Sequence, residues 1–150
     1  MPRRYVLSNS ITSFTGPKTV FEIGALSNTV LKIVRIKVSQ STTETDDSTL
    51  LTWGRYTASG TGNNVAGNVE AIDPGDSAFG GTAEDDHSAD ISTGEIILGR
   101  EGISLLAGFE KIFLPESRII IPGGGYFGLN VEAAITSATL VYECEFDEIG

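Results

Sequence analysis

The chain has 150 residues, 40% of them hydrophobic, and a net charge of −10 from ten basic and twenty acidic side chains. That length predicts one domain burying roughly 70% of its unfolded surface, and a mean hydropathy of +0.05 excludes wholesale disorder. A pI near 4.4 argues against nucleic acid as a partner, because phosphate binding needs a positive field. The single Cys144 excludes an intramolecular disulfide framework and a multi-cysteine zinc site. No apolar run approaches the ~18 residues of a spanning helix, so no membrane partner is expected and synthesis belongs in a cytoplasm.

Residues 1–17 lack clean periodicity and end at Gly16-Pro17. They predict an extended N-terminal arm anchored by Tyr5, Val6, Leu7, Ile11 and Phe14, outside a single β-sandwich domain over 18–150. Residues 1–40 carry six basic groups and one acid, whereas 41–150 carry four basic groups and nineteen acids. The basic start suits an acidic protein surface, and a solvated arm and strand explain it equally well.

From Lys18 onward the pattern is β. Thr19 to Ala25 reads as a strand. Thr29 to Gln40 is a long one, in which Val30, Val34, Ile36 and Val38 share a face with Lys32 while Leu31 and Ile33 share the other. Ser41 to Ser48 reads as a polar loop, Leu50 to Ala58 as a strand holding the only tryptophan, and Val69 to Ile72 as a short strand. Residues 59–64 and Asp73-Pro-Gly-Asp76 have turn composition, and 77–94 reads as one long loop. Glu95 to Leu98 opens the second half, and Gly102 to Phe113 hovers between helical spacing and irregular strand. Arg118 to Ile121, Tyr126 to Glu132 and Ser137 to Asp147 are strands. In the last, Ala138, Leu140, Tyr142, Cys144 and Phe146 alternate with Thr139, Val141, Glu143, Glu145 and Asp147, so one face is apolar and the other mainly acidic. About eight antiparallel strands with long, unequal connections predict an all-β jelly-roll sandwich rather than an up-and-down barrel.

Chemistry-bearing motifs are sparse. Gly123-Gly124-Gly125 opens no helix and reads as a hairpin needing positive φ, not as a phosphate loop. The run Glu84-Asp85-Asp86-His87-Ser88-Ala89-Asp90 lacks the alternating acids and central glycine of a calcium loop, so it reads as solvated. His87 is the only histidine, and a transition-metal site would have to draw its other ligands from carboxylates. No nucleophile elbow is present and no carboxylate pair stands out, so neither catalysis, a metal nor a cofactor is expected. Trp53, Tyr56, Tyr126 and Phe127 are the aromatics available for stacking on sugars, but they lie in or beside strands and read as core.

The stretch Leu114-Pro-Glu-Ser-Arg-Ile-Ile-Ile-Pro-Gly-Gly-Gly-Tyr-Phe-Gly-Leu-Asn-Val131, followed by the alternating acidic terminal strand, resembles virion proteins of tailed bacteriophages. With the N-terminal arm, the strand Val30-Leu-Lys-Ile-Val-Arg-Ile-Lys-Val38 and the strand Thr52-Trp-Gly-Arg-Tyr-Thr57, the chain is similar to jelly-roll head decoration, or cement, proteins. That resemblance implies a homotrimer on the major capsid protein at the threefold positions of the head, on the virion surface. Its contacts are expected from Arg3, Arg4, Tyr5, Phe14 and Lys18. The alternative is a receptor- or carbohydrate-binding head of a phage tail fibre, reading its ligand through loops 59–68 and 77–94.

Overall fold

The computed structural model describes residues 2–41, 48–91 and 94–150. Among these, twelve strands form two antiparallel sheets of six. The loop expected over 41–48 lies, for residues 42–47, outside the described residues. The first sheet contains β1 (Arg3–Phe14), β3 (Val30–Gln40), β6 (Val69–Ala71), β9 (Phe109–Ile112), β10 (Ile119–Ile121) and β12 (Ala138–Ile149). Its order is β10-β3-β12-β1-β6, and β9 extends the β10 edge by pairing with the far half of β3. The second contains β2 (Lys18–Gly24), β4 (Ser48–Tyr56), β5 (Asn63–Asn64), β7 (Thr82–Asp85), β8 (Ile96–Ser104) and β11 (Tyr126–Val131), in the order β5-β7-β2-β11-β4-β8. β1 to β4 alternate between the sheets, as do β10, β11 and β12; β12 slots between β3 and β1, β11 between β2 and β4, and β10 adds to the edge beside β3. This is the double winding of a jelly roll.

The terminal strand behaves as its alternation predicts. Ala138, Leu140, Tyr142, Cys144 and Phe146 are all buried, and Glu143 and Glu145 face outward beside Arg35. β3 departs from strict alternation. Opposite β12 the register passes from Arg35↔Glu145 to Ile33↔Phe146, leaving Val34 as a bulge. The extra residue resets the parity, so Leu31 and Ile33 reach the core together with Ile36 and Val38 instead of opposing them. The Val34 carbonyl accepts from the Phe113 N–H at 2.8 Å.

The N-terminal arm is a correction. Residues 3–14 are not outside the domain: β1 pairs with β12 along nearly its whole length and with β6 on its other side. Tyr5, Leu7, Ile11 and Phe14 are core residues, at most 5% exposed. The alternation is broken in the sequence by apolar Val6 on the outer face, by polar Asn9 on the inner face where it bonds Asp85, and by the bulge before Phe14, where Ser13 has φ +57°. The loop over 77–94 is interrupted by β7, and the Gly102–Phe113 segment resolves into the end of β8 and then β9. The glycine triplet does hold a positive φ, +76° at Gly124. It is not a hairpin, however: β10 and β11 belong to different sheets, and the turn carries the chain across the sandwich.

Candidate functional site

The five contact residues expected from the resemblance are tied into the fold. Tyr5 is fully buried, stacks on Phe146 with ring centroids 5.8 Å apart, and donates its hydroxyl to the Ser77 carbonyl at 2.8 Å. Burial pushes that phenol above its ordinary pKa. Phe14 is fully buried, and the Lys18 ammonium sits 4.8 Å from its ring centroid while pairing with Asp86. Arg3 reaches Ser77 and Glu148. Arg4 donates to Asp147 at 2.6 Å and lies 3.4 Å from Glu145, and the Asp147 hydrogen bond chiefly holds its guanidinium above the usual pKa against the cost of burial. The basic start is matched by acids at the end of β12, its strand neighbour. These residues tie β1 and the start of β2 into the fold.

An exposed apolar surface lies on the opposite flank of the sandwich, where edge strands β8 and β9–β10 meet. Ile96, Leu98, Ile112, Leu114 and Ile120 are each 42–61% exposed there. Leu98, Phe113, Ile119 and Ile120 line a groove of about 500 Å³ whose rim carries Arg55, Lys111 and Arg118. Three cations around one apolar groove run against the chain's −10 charge. β8 is nine residues long and has a sheet partner on only one side, the kind of edge that invites another chain.

The run 84–90 is a second correction, since Asp85 and His87 are buried within it while Ser88 and Ala89 stay exposed. Asp85 is 3% exposed and points between the sheets, accepting from Asn9 Nδ2 at 2.7 Å and Tyr142 Oη at 2.8 Å. Burial, with Asp85 beside it, raises the Tyr142 pKa strongly. Asp86 adopts φ +47° and turns the chain back over the outer face of the second sheet, so that the His87 N–H reaches the Thr19 carbonyl at 3.2 Å. Beneath this flap lies a buried polar layer. Thr19 Oγ1 donates to Asn130 Oδ1 at 2.6 Å and accepts from the Ile91 N–H, and Asn130 Nδ2 donates to Tyr56 Oη at 2.8 Å.

The same layer brings together Glu22, Glu84 and His87. Glu22 and Glu84 stand directly opposite each other on β2 and β7. His87 Nε2 lies 3.7 Å from Glu22 Oε2 and 3.6 Å from Glu84 Oε2. His87 is fully buried, Glu22 is 1% exposed, and only Glu84 has partial access to solvent. Ser59 Oγ donates to Glu22 Oε1 at 2.6 Å, and the Gly60 N–H to Glu22 Oε2 at 2.9 Å. A Cβ at Gly60 or Gly62 would lie within 2.8 Å of the imidazole, so only glycine lets the backbone clamp both sides of the ring. Among the described residues these three are the group whose ligand atoms converge closely enough to hold a metal ion.

Beside the flap, Asp90 faces Glu132 and Glu95. Burial, then repulsion from Glu132 and a hydrogen bond shared with it, raise the Asp90 pKa from 3.8 to about 6. The folded state therefore binds more protons than the unfolded one between about pH 4 and 6, and this carboxyl lowers stability as pH rises through that window. The melting temperature of Asp90→Asn, measured against wild type, should gain an advantage between pH 4 and pH 6.5. A difference that stays flat with pH contradicts the assignment.

The aromatics considered for sugar stacking mostly pack inside. Trp53, Tyr56 and Phe127 are at most 5% exposed, and Trp53 stacks on Phe109 at 5.6 Å. Tyr126 alone is partly open, in a pocket of about 300 Å³ with Arg55, Ile96 and the glycine triplet. Cys144 is fully buried, and burial pushes its thiol far above the usual pKa, as befits a small core residue. Comparison with protein-family models, with curated proteins and with solved structures finds no match.

Proposed function

We propose that this protein is a capsid decoration protein, a structural component of a tailed-phage virion that binds the outer surface of the major capsid shell as a homotrimer and stabilises it. One observation supports this reading above the others: the apolar groove between β8 and β9–β10, rimmed by Arg55, Lys111 and Arg118. Exposed aliphatics with a cationic fringe fit a protein surface that offers apolar knobs and acids, and the groove takes over the docking role expected of the arm. The trimer and the capsid come from the sequence resemblance. A cement protein performs no reaction: its contacts bridge neighbouring capsid subunits, and mass action links shell stability to occupancy. The acidic remainder of the surface keeps decorated heads soluble and mutually repelling.

The tail-fibre alternative has less behind it, because the aromatic platforms it needs are buried at Trp53, Tyr56 and Phe127. Sedimentation of the purified chain, alone and with undecorated heads, tests the proposal. The expected result is a trimer that co-sediments with heads and saturates at a fixed ratio. A protein that ignores heads and instead binds a glycan array would overturn it.

A further inference from the structure

We propose that Glu22, Glu84 and His87 form a binding site for one divalent transition-metal ion of the zinc class, which fastens the 86–91 flap and the 59–62 loop to the second sheet. The inference is independent of the capsid reading. Two glutamates directly opposite on neighbouring strands repel each other, an arrangement that costs stability unless a cation lies between them. Here Glu22 is almost wholly buried, which makes an uncompensated charge costlier still. Neither ring nitrogen of the fully buried His87 has a hydrogen-bond partner, and Glu84 Oε2 has none either. His87 Nε2 is aimed at both carboxylates, at 3.7 Å and 3.6 Å. Those separations are too long for N–H···O hydrogen bonds, which end near ~3.2 Å. They lie close to the edge of a tetrahedron whose ligands sit about 2.0–2.2 Å from a central ion, roughly 3.3–3.6 Å.

The donor set chooses the ion class. One imidazole and two carboxylates supply nitrogen as well as oxygen and two negative charges, which suits zinc and its first-row neighbours better than calcium or magnesium. The partial exposure of Glu84 opens the site to solvent on one side, leaving room for a water as fourth ligand. The supports are also in place. Ser59 Oγ and the Gly60 N–H orient the Glu22 carboxylate, while Gly60 and Gly62 pass so close to the imidazole that a Cβ at either would meet it.

The test titrates Zn²⁺ into the full chain after chelator treatment, with Ca²⁺ and Mg²⁺ as controls, and follows heat, melting temperature and the ring-proton NMR signals of the sole histidine. Saturation at one Zn²⁺ per chain is expected, with shifted histidine signals and a melting temperature about 5–10 °C higher at a hundredfold excess over Kd. Glu84→Gln should bind Zn²⁺ at least tenfold more weakly while its metal-free form melts at or above the wild-type temperature, because it removes one of two facing carboxylates. This variant is partly exposed and keeps the fold testable. No saturable Zn²⁺ binding, unshifted histidine signals, an equal response to Ca²⁺, or wild-type affinity in Glu84→Gln would each overturn the site. A metal-free Glu84→Gln that melts well below wild type would do the same, since it would show that the Glu84 carboxylate already stabilises the metal-free cluster.

Discussion

A chain lacking residues 1–17 should fail to fold. β1 lies between β12 and β6, and its loss would expose one full edge of the twelve-residue terminal strand. It would also remove Tyr5, Leu7, Ile11 and Phe14 from the core. Truncating any one large buried side chain costs about 2–5 kcal/mol, so the four together cost on the order of 10 kcal/mol. A domain of this size has only about 5–15 kcal/mol of net stability to lose. The expected product has no near-ultraviolet circular dichroism and no cooperative melting transition. A truncated chain that melts cooperatively and loses only its affinity for heads would restore the arm as a docking element. Phe146→Ala gives a milder version of the same test. It empties the site against which Tyr5 and Phe79 pack at 5.8 Å and 5.1 Å, for about 3–5 kcal/mol.

The second large effect concerns binding. Ile120→Asp and Leu98→Asp each place a charge in the groove at positions 51% and 42% exposed. Away from the core, such substitutions change stability by within about 0.5 kcal/mol, so both variants should melt like the wild type. Affinity for undecorated heads should nonetheless fall at least ~30-fold, equivalent to about 2 kcal/mol at a central apolar anchor. Ile72→Asp provides the control. Its residue is 54% exposed, but it follows β6 on the opposite edge of the first sheet, so binding should be unchanged. Equal losses in all three variants would point to a nonspecific charge effect and rule out the groove as the docking surface.

The parts of the fold legible in the sequence are those whose periodicity is clean. β12 could be read residue by residue because its inward positions from Ala138 to Phe146 are all apolar and most outward ones polar or acidic, up to Asp147 and Glu148, which are buried against Arg4, Arg118 and Arg3. In β3 the alternation is real but interrupted, and a one-residue bulge at Val34 is invisible to a period-two pattern. β1 was hidden by Val6 facing outward, Asn9 facing inward and the bulge between Ile11 and Phe14. Its partner is the last strand of the chain, and no local signal announces a pairing between the two termini.

The polar cluster was illegible for the same reason. Glu22 sits in a strand that reads as apolar, and Glu84 and His87 sit in a run that reads as solvated. Only the β2–β7 register and the positive φ at Asp86 bring them together. The signal that was available is negative in form: a lone histidine among carboxylates, flanked in space by the glycines of Ser59-Gly-Thr-Gly62, whose purpose a sequence scan assigns to turns. The cationic groove was equally hidden. Arg55, Leu98, Lys111 and Ile120 come from four different segments and meet only where two sheet edges close on each other.

Stabilisation of a shell is read out by the release of DNA from packaged heads on heating. Undecorated heads, heads saturated with the wild-type chain and heads incubated with Ile120→Asp would be heated in parallel while released DNA is followed by dye fluorescence. The release temperature should rise with wild-type occupancy, level off at saturation, and stay at the undecorated value with Ile120→Asp. Saturating binding that leaves the release temperature unmoved would contradict a stabilising role.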